Sequence, residues 1–315
     1  MRRGLAVVAL GGNALVRDRD HQSIADQYET VQSVAPHLVD LVESGWDLVV
    51  THGNGPQVGF ILRRSELAAG EVAPVPLDYA VGDTQGAIGY MFLKAFGNEL
   101  RRRGIDKPVV AIVTQTLVAA DDPAFADPTK PVGAFMDEAT ARRFAGSLGW
   151  TIAEDAGRGW RRTVASPVPV EIVELPVIRA LCDQGVLVVA AGGGGVAVRR
   201  DGAGDLVGVE AVIDKDRAAA LVAAELGADV LIIATGVERV AVDFGTPRQR
   251  WLDTITIAEA TELADQGQFG AGSMRPKVEA VVEFLRRRPG AAGVITSPAK
   301  LHDALLHRAG TWIEA

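Results

Sequence analysis

The stretch that most constrains this 315-residue chain is residues 186–218, VLVVAAGGGGVAVRRDGAGDLVGVEAVIDKDRA. It opens on an unbroken apolar run, residues 186–191. A strand that is apolar on both alternating faces must be covered on both sides, which is the situation of a parallel sheet between helices. Four glycines follow at once, residues 192–195. They admit backbone angles closed to other residues and let another group approach the backbone closely, and exposed N–H groups at such a turn suit an anion. Two short apolar pieces around residues 201–205 have the pattern of a β-hairpin. The stretch ends in Ile213-Asp214-Lys215-Asp216 and an alanine-rich helical segment. An anion cradle followed by a lysine between two carboxylates at a helix start points to phosphate chemistry.

Gly192, Gly194 and Ala197 also satisfy the dinucleotide spacing G-x-G-x-x-G/A. That fingerprint needs a helix to begin inside the glycines, with its N-terminus facing the pyrophosphate. Here Val196-Ala197-Val198 is strand-like and Asp201-Gly202 turns the chain soon after. The dinucleotide reading is therefore the minor one.

The same grammar of strand, then glycines, recurs. Residues 5–10 are apolar and end in Gly11-Gly12-Asn13; residues 47–51 end in His52-Gly53-Asn54-Gly55; residues 230–235 form a further strand. Strand ends of this kind meet at the carboxyl edge of an open sheet, where ligands bind. His52 is a possible base, but a lone histidine at a turn more often fixes loop geometry. Helical rhythms cover residues 22–43, 58–67, 84–100, 177–183, 217–226, 257–265, 278–287 and 299–306, and further strands are expected at 109–114, 240–244 and 294–296. Alternation of helix and buried strand predicts a parallel sheet with crossover helices. Between residues 120 and 167 the rhythm breaks into charged, loop-rich sequence, read as an excursion out of the sheet, a lid or small subdomain. Lys130 lies there between Pro128 and Pro131, which stiffen its backbone. A fourth glycine loop, residues 267–274, leads into Pro276 and Lys277 at a helix start, again leaving N–H groups free.

Charge and composition exclude several classes. A net charge of −8 argues against a general nucleic-acid or anionic-membrane binder. The single cysteine, Cys182, excludes an intrachain disulfide and a cysteine metal cage, and the five histidines lack metal-ligand spacing. No run approaches a membrane span, so a cytoplasmic location is expected. There is no G-x-x-x-x-G-K-[ST] loop, H-E-x-x-H or G-x-S-x-G. What remains is glycine loops and isolated lysines, a set suited to phosphoryl transfer, which needs positioning and charge neutralisation more than covalent work.

Seven segments in order, VVALGGNAL, THGNGPQVG, DPTKPVG, EDAGRGWRR, AGGGGVAV, GVEAVIDKD and GQFGAGSMRPKVEA, resemble the motif set of the carbamate kinases, within the amino acid kinase superfamily. The resemblance spans nearly the whole chain. It implies one domain over residues 1–315, a three-layer αβα sandwich on a mainly parallel open sheet with a small protruding subdomain. Residues 1–205 would form the substrate-side half and 206–315 the nucleotide-binding half. It further implies a homodimer and reversible transfer between carbamoyl phosphate and MgADP giving ATP and carbamate, with Mg2+ carried by the nucleotide and no protein-held metal. On this likeness Gly11, Gly12, Asn13, Gly53 and Asn54 hold the substrate. Lys130 and Lys215 neutralise the moving phosphoryl group and Asp216 orders the lysines. Gly193, Gly194, Asp214, Met274 and Lys277 serve the nucleotide, with Lys277 on its phosphates and Met274 near the adenine. Alternatives are a kinase of another small acid, an enzyme running towards carbamoyl phosphate, and a non-catalytic nucleotide sensor. Two positions depart from the pattern, Arg275 where glycine is usual and Ala197 where proline is usual. If the glycine uses positive φ, Arg275 is strained or reshapes the loop; its guanidinium is otherwise close enough to Lys277 to reach the phosphates.

Overall fold

Residues Ala6 to Leu10 are all buried, and their side chains alternate between two separate cores. Val7 and Ala9 enter one and Ala6, Val8 and Leu10 the other. A strand of this kind sits at the centre of a sheet covered on both faces. The computed structural model describes residues 3–11, 15, 20–155, 157, 159–270 and 272–314. Its strands are β1 (Gly4–Leu10), β2 (Trp46–His52), β3 (Val109–Ala111), β4 (Gln115–Val118), β5 (Lys130–Met136), β6 (Thr151–Glu154), β7 (Trp160–Val164), β8 (Pro169–Ile172), β9 (Leu187–Val189), β10 (Val196–Arg200), β11 (Leu206–Gly208), β12 (Val230–Ala234), β13 (Ala241–Val242), β14 (Arg250–Trp251), β15 (Thr254–Thr256), β16 (Ala292–Thr296) and β17 (Thr311–Glu314). The α-helices are α1 (Ile24–Glu43), α2 (Gly55–Ala68), α3 (Leu77–Arg103), α4 (Glu138–Leu148), α5 (Leu175–Asp183), α6 (Lys215–Leu226), α7 (Ile257–Asp265), α8 (Arg275–Arg287) and α9 (Leu301–Leu305).

The main sheet has the order β15-β17-β16-β12-β1-β2-β9-β3. Its neighbours run parallel except β16 and β17. Helices α1, α3 and α9 cover one face and α5, α6, α7 and α8 the other, which makes the expected three-layer αβα sandwich. Local signals account for the helix ends. Ser23 and Asp26 form a capping box at the start of α1, Thr256 and Glu259 another at α7, and Gly104 ends α3 in the left-handed conformation. On the outer side of α1 and α3, Arg103 binds Asp40, Glu43 and Glu99, tying the two helices together.

A second sheet, β11-β10-β4-β8, lies beyond the carboxyl edge of the first. Two connections pass between the sheets side by side. One runs from β3 to β4; the other runs from β9 through the glycines to β10, and β10 pairs parallel to β4 as β9 does to β3. The expected strand 109–114 is thus cut at Ala111, because the chain there leaves one sheet for the other.

The excursion between residues 120 and 167 is more ordered than its loop-rich sequence suggests. It carries the antiparallel sheet β5-β7-β6 and helix α4, capped by Asp137 and ended by left-handed Gly149. Aromatic rings under arginines stand in for a deep core: Arg161 lies over Phe135 and Arg162 over Trp150, each 5.0 Å from the ring centroid.

Phe92, fully buried on α3, stacks between His52 (5.7 Å) and Phe96 (5.8 Å) and so joins the core to the strand-end loop of β2. Phe92→Ala is expected to lower unfolding free energy by about 3–5 kcal/mol. Chemical denaturation measures this, and a loss under about 1 kcal/mol would mean that the core does not depend on this ring.

Candidate active site

The strand ends β12, β1, β2 and β9 are neighbours in that order, and their loops build one edge. The Gly11 N–H donates to the Ala234 carbonyl (2.9 Å) and the Gly53 N–H to that of Leu10 (3.1 Å). Gly12 and Asn13, expected to hold substrate, lie outside the described residues. Asn54 is the N-cap of α2, but its side chain does not cap; it donates instead to Thr84 Oγ1 on α3 (2.8 Å).

The glycine run after β9 is a tight 3-10 turn, entered through Ala191 in the left-handed region at φ +50°. A Cβ at Gly192 would stand 2.5 Å from His52 Nε2 and one at Gly193 2.0 Å from Asn54 Nδ2. At Gly194 it would stand 2.8 Å from Ile213, and at Gly195 2.1 Å from Thr116 Oγ1. The close approach that the glycines permit is therefore made by the protein's own side chains. The Gly194 N–H is occupied by the Ala191 carbonyl (3.0 Å). The run is buried, and Gly193 and Gly194 do not line the large cleft described below.

Beyond the run, Asp214 caps α6. Its Oδ1 accepts the N–H groups of Asp216 (3.0 Å) and Arg217 (3.3 Å), and its Oδ2 accepts Lys130 Nζ from β5 (3.2 Å). Asp216 is 3% exposed. Its Oδ1 takes Lys215 Nζ (2.5 Å) and its Oδ2 takes Lys277 Nζ from α8 (2.8 Å). Three elements far apart in sequence thus bring three lysines onto two carboxylates, a set whose formal charges sum to plus one. Burial pushes the Asp216 carboxyl up, but Lys215 and Lys277 outweigh it and hold the group below the usual carboxylate range. Burial lowers Lys215, against the support of Asp216, and the Lys277 charge lowers it further. Both Asp216 oxygens are taken by lysines and those of Asp214 by N–H groups and Lys130. The pair does not fit a resident magnesium ion. Among the described residues no group of three or more His, Cys, Asp or Glu side chains could hold a metal.

Next to this cluster a cleft of about 590 Å³ opens, in the size range of small-molecule sites. It brings together Gly11, Met274 and Lys277, whereas Asp214 does not line it. Phe244 and Trp251, from the turn and ribbon around β13 and β14, also line it while 67% and 46% exposed. Sequence reasoning missed both; the signal was a pair of large aromatics in a polar, turn-rich stretch.

The sequence pattern of the amino acid kinase family matches residues 4–296. The chain is 48% identical over 312 residues to the carbamate kinase-like protein YahI of Escherichia coli (strain K12), covering 98% of each. It is 46% identical over 312 residues to the carbamate kinase of Thermococcus kodakarensis, again covering 98% of each. The structure matches the carbamate kinase from Giardia lamblia bound to AMP-PNP with a TM-score of 0.93 at 41% identity, covering 99% of this chain and 98% of that one. The chain belongs to the carbamate kinases of the amino acid kinase family.

Against that family pattern, Arg275 carries no strain. It has no positive φ and is the first residue of α8. Its guanidinium turns along the helix to Glu279 (2.6 Å) and does not line the cleft. In Arg275→Gly, ADP affinity measured against ionic strength should give a curve parallel to that of the unaltered protein. A shallower curve would reveal a phosphate contact made only in the complex.

His52 is a structural group. Burial lowers its pKa from 6.5 to about 4, although its hydrogen bond with the Gly53 carbonyl (3.1 Å) opposes the shift. The ring is neutral at pH 7 and does not change charge between pH 6 and 8. Between pH 6.5 and 4 the unfolded chain takes up a proton that the folded chain refuses. Stability therefore falls as pH falls through that window, by up to about 3 kcal/mol, and this contribution is complete above it. His52→Asn should flatten the dependence in denaturation series at pH 4.5–7; an unchanged slope would overturn the assignment.

Proposed function

We propose that this chain transfers a phosphoryl group reversibly between carbamoyl phosphate and MgADP, giving ATP and carbamate. The observation that supports the reading best is the Lys130–Lys215–Lys277 cluster on Asp214 and Asp216, set between the strand-end loops and the cleft. In the ATP-forming direction a β-phosphate oxygen of ADP attacks the phosphorus of carbamoyl phosphate, and the bond from phosphorus to the carbamate oxygen breaks. The pair of electrons leaves with carbamate. Most of the barrier is positional and electrostatic. A lysine about 4 Å from a phosphoryl oxygen contributes ~4 kcal/mol at an effective dielectric near 20.

In this reading Gly11, Gly53 and Asn54, with Gly12 and Asn13, hold the acid side. Lys130 and Lys215 face the moving phosphoryl group. Asp216 keeps Lys215 and Lys277 in place, and Lys277 reaches towards the nucleotide phosphates in the cleft that Met274 lines. Gly193, Gly194 and Asp214 act on the nucleotide only indirectly, by shaping the turn and the start of α6. Residues 1–205 then serve the acid and 206–315 the nucleotide, and magnesium arrives as part of the substrate. No helix of the described residues is long and apolar enough to cross a membrane. A cytoplasmic homodimer making ATP in arginine or related nitrogen catabolism fits the reading.

The test is an ATP-synthesis assay with purified protein, ADP, magnesium and carbamoyl phosphate. Turnover is expected, with acetyl phosphate a poorer donor. Nucleotide binding without ATP above the background from carbamoyl phosphate decomposition would support the sensor alternative. Lys130→Ala and Lys215→Ala should each lower kcat by roughly two to three orders of magnitude, with a smaller change in KM. Near-full kcat in Lys130→Ala would remove the subdomain from the chemistry.

A further inference from the structure

The glycine run is held from behind by a polar network that no sequence motif marks. Gln85, on α3 and 4% exposed, forms two hydrogen bonds with the backbone of Thr114. Its Oε1 accepts the Thr114 N–H (2.6 Å) and its Nε2 donates to the Thr114 carbonyl (3.0 Å). That carbonyl also accepts the N–H of Val196, where the run ends (2.8 Å). The Thr114 hydroxyl donates to the Ile112 carbonyl (3.0 Å) and accepts the N–H of Ala191, the left-handed residue where the run begins (3.0 Å). Both ends of the run therefore hang on one residue, and Gln85 fixes that residue. The Gln85 stem also flanks the run, its Cγ 3.1 Å from where a Cβ on Gly192 would lie.

A non-glycine residue at φ +50° persists only where its surroundings over-determine it. The run in turn packs against His52, Asn54 and Ile213, the last immediately before Asp214. Displacing it by a fraction of an ångström would move the acid-side loop and the start of α6 together. We propose that Gln85, acting through Thr114, is a positioning residue for the phosphoryl-transfer site: it sets the glycine run from which Asn54 and the α6 lysine cluster take their places. The inference rests on the proposed reaction for its kinetic readout and on the hydrogen-bond network alone for its structural one.

The amide chemistry supplies a specific test. Gln85→Glu preserves shape and the acceptor for the Thr114 N–H. Ionised, however, it turns a carboxylate oxygen on the Thr114 carbonyl instead of a donor. Burial and that carbonyl both favour the protonated acid, whose O–H restores the lost donor. With ATP synthesis measured across pH 6–8.5, kcat of Gln85→Glu should fall at least about tenfold below the unaltered protein at high pH, with KM for both substrates within about threefold. The deficit should shrink as pH falls. Thr114→Val should show a similar loss at every pH, and Thr114→Ser, which keeps the hydroxyl, should recover most of it. Hydrogen exchange supplies a readout independent of activity: amides of residues 187–196 should exchange at least about tenfold faster in Thr114→Val and in Gln85→Glu at high pH, while β1 and β12 keep their protection. Turnover by the unaltered protein with kcat in both Gln85→Glu and Thr114→Val within twofold of it at all pH values would overturn the positioning role. So would equal losses in Thr114→Ser and Thr114→Val. If the unaltered protein makes no ATP, the proposed reaction fails by itself, and unchanged exchange in 187–196 would then overturn this inference separately.

Discussion

Asp216 is the group on which the site's charge depends. Two lysines buried beside each other repel and lose their hydration, a cost of several kcal/mol per ion that only a close counter-charge offsets. Asp216 supplies one oxygen to each, so Lys215 and Lys277 are anchored on a single carboxylate. The carboxylate is itself sustained by its place in the first turn of α6, where free N–H groups and the helix dipole favour negative charge. Asp214 at the cap uses the same field. Packing completes the arrangement. Ala218, Ala219, Ala220 and Ala223 are all fully buried on α6, and such small side chains let it lie close to β1 and α8, within reach of Lys277.

The glycines are packed closely by the protein's own side chains. A run of four next to a strand reads as a cradle for a ligand, yet the space left by each missing side chain is filled by His52, Asn54, Ile213 or Thr116. What the site needs at this point is two backbone crossings packed side by side between two sheets, closely enough to align loops from β2 and α6. Glycine is required because Gly193, Gly194 and Gly195 take φ between +67° and +93° while buried among those side chains.

How much was legible follows from which interactions are local in sequence. The main sheet was readable, because β1 and β12 are continuous apolar runs and β2 carries a shorter one, Leu48–Val50, buried as in a doubly covered strand. The subdomain was readable as an excursion from the sheet, but its internal order was not. In β7, Trp160-Arg161-Arg162 looks like solvated loop, but its arginines cover Phe135 and Trp150 and do the work of apolar residues in a thin sheet. β17 was missed because four residues near the end of the chain give too little periodicity to separate strand from turn. At the site, a lysine between two aspartates pointed to phosphate chemistry and suggested that Asp214 and Asp216 orient Lys130, Lys215 and Lys277, whereas the separate role of each lysine followed from resemblance. Gln85 gave no signal at all: its partner is a backbone 29 residues away, and backbone has no letter in the sequence.

The three lysines are not held alike, and the difference matches what phosphoryl transfer asks of them. Lys215 and Lys277 are 17% and 13% exposed on a carboxylate that is itself buried. Lys130 is 38% exposed and its partner Asp214 is 19% exposed, at a longer 3.2 Å. The Lys130–Asp214 pair is longer and less buried than the other two, so exchanging Asp214 for a phosphoryl oxygen would cost Lys130 less than the same exchange would cost Lys215 or Lys277. A buried pair gives up its partner only at much greater cost. In the proposed transfer, Lys215 and Lys277 would be set in advance, as electrostatic preorganisation requires, and Lys130 would change partner as charge builds on the transferring group. That third cation stands at the start of β5, the subdomain's first strand. Arg162 on β7 reaches back from the same sheet to Glu210, just before α6. The subdomain therefore meets the body through these ion pairs as well as through the apolar cluster in which Val132 and Val164 pack against α2 and α3.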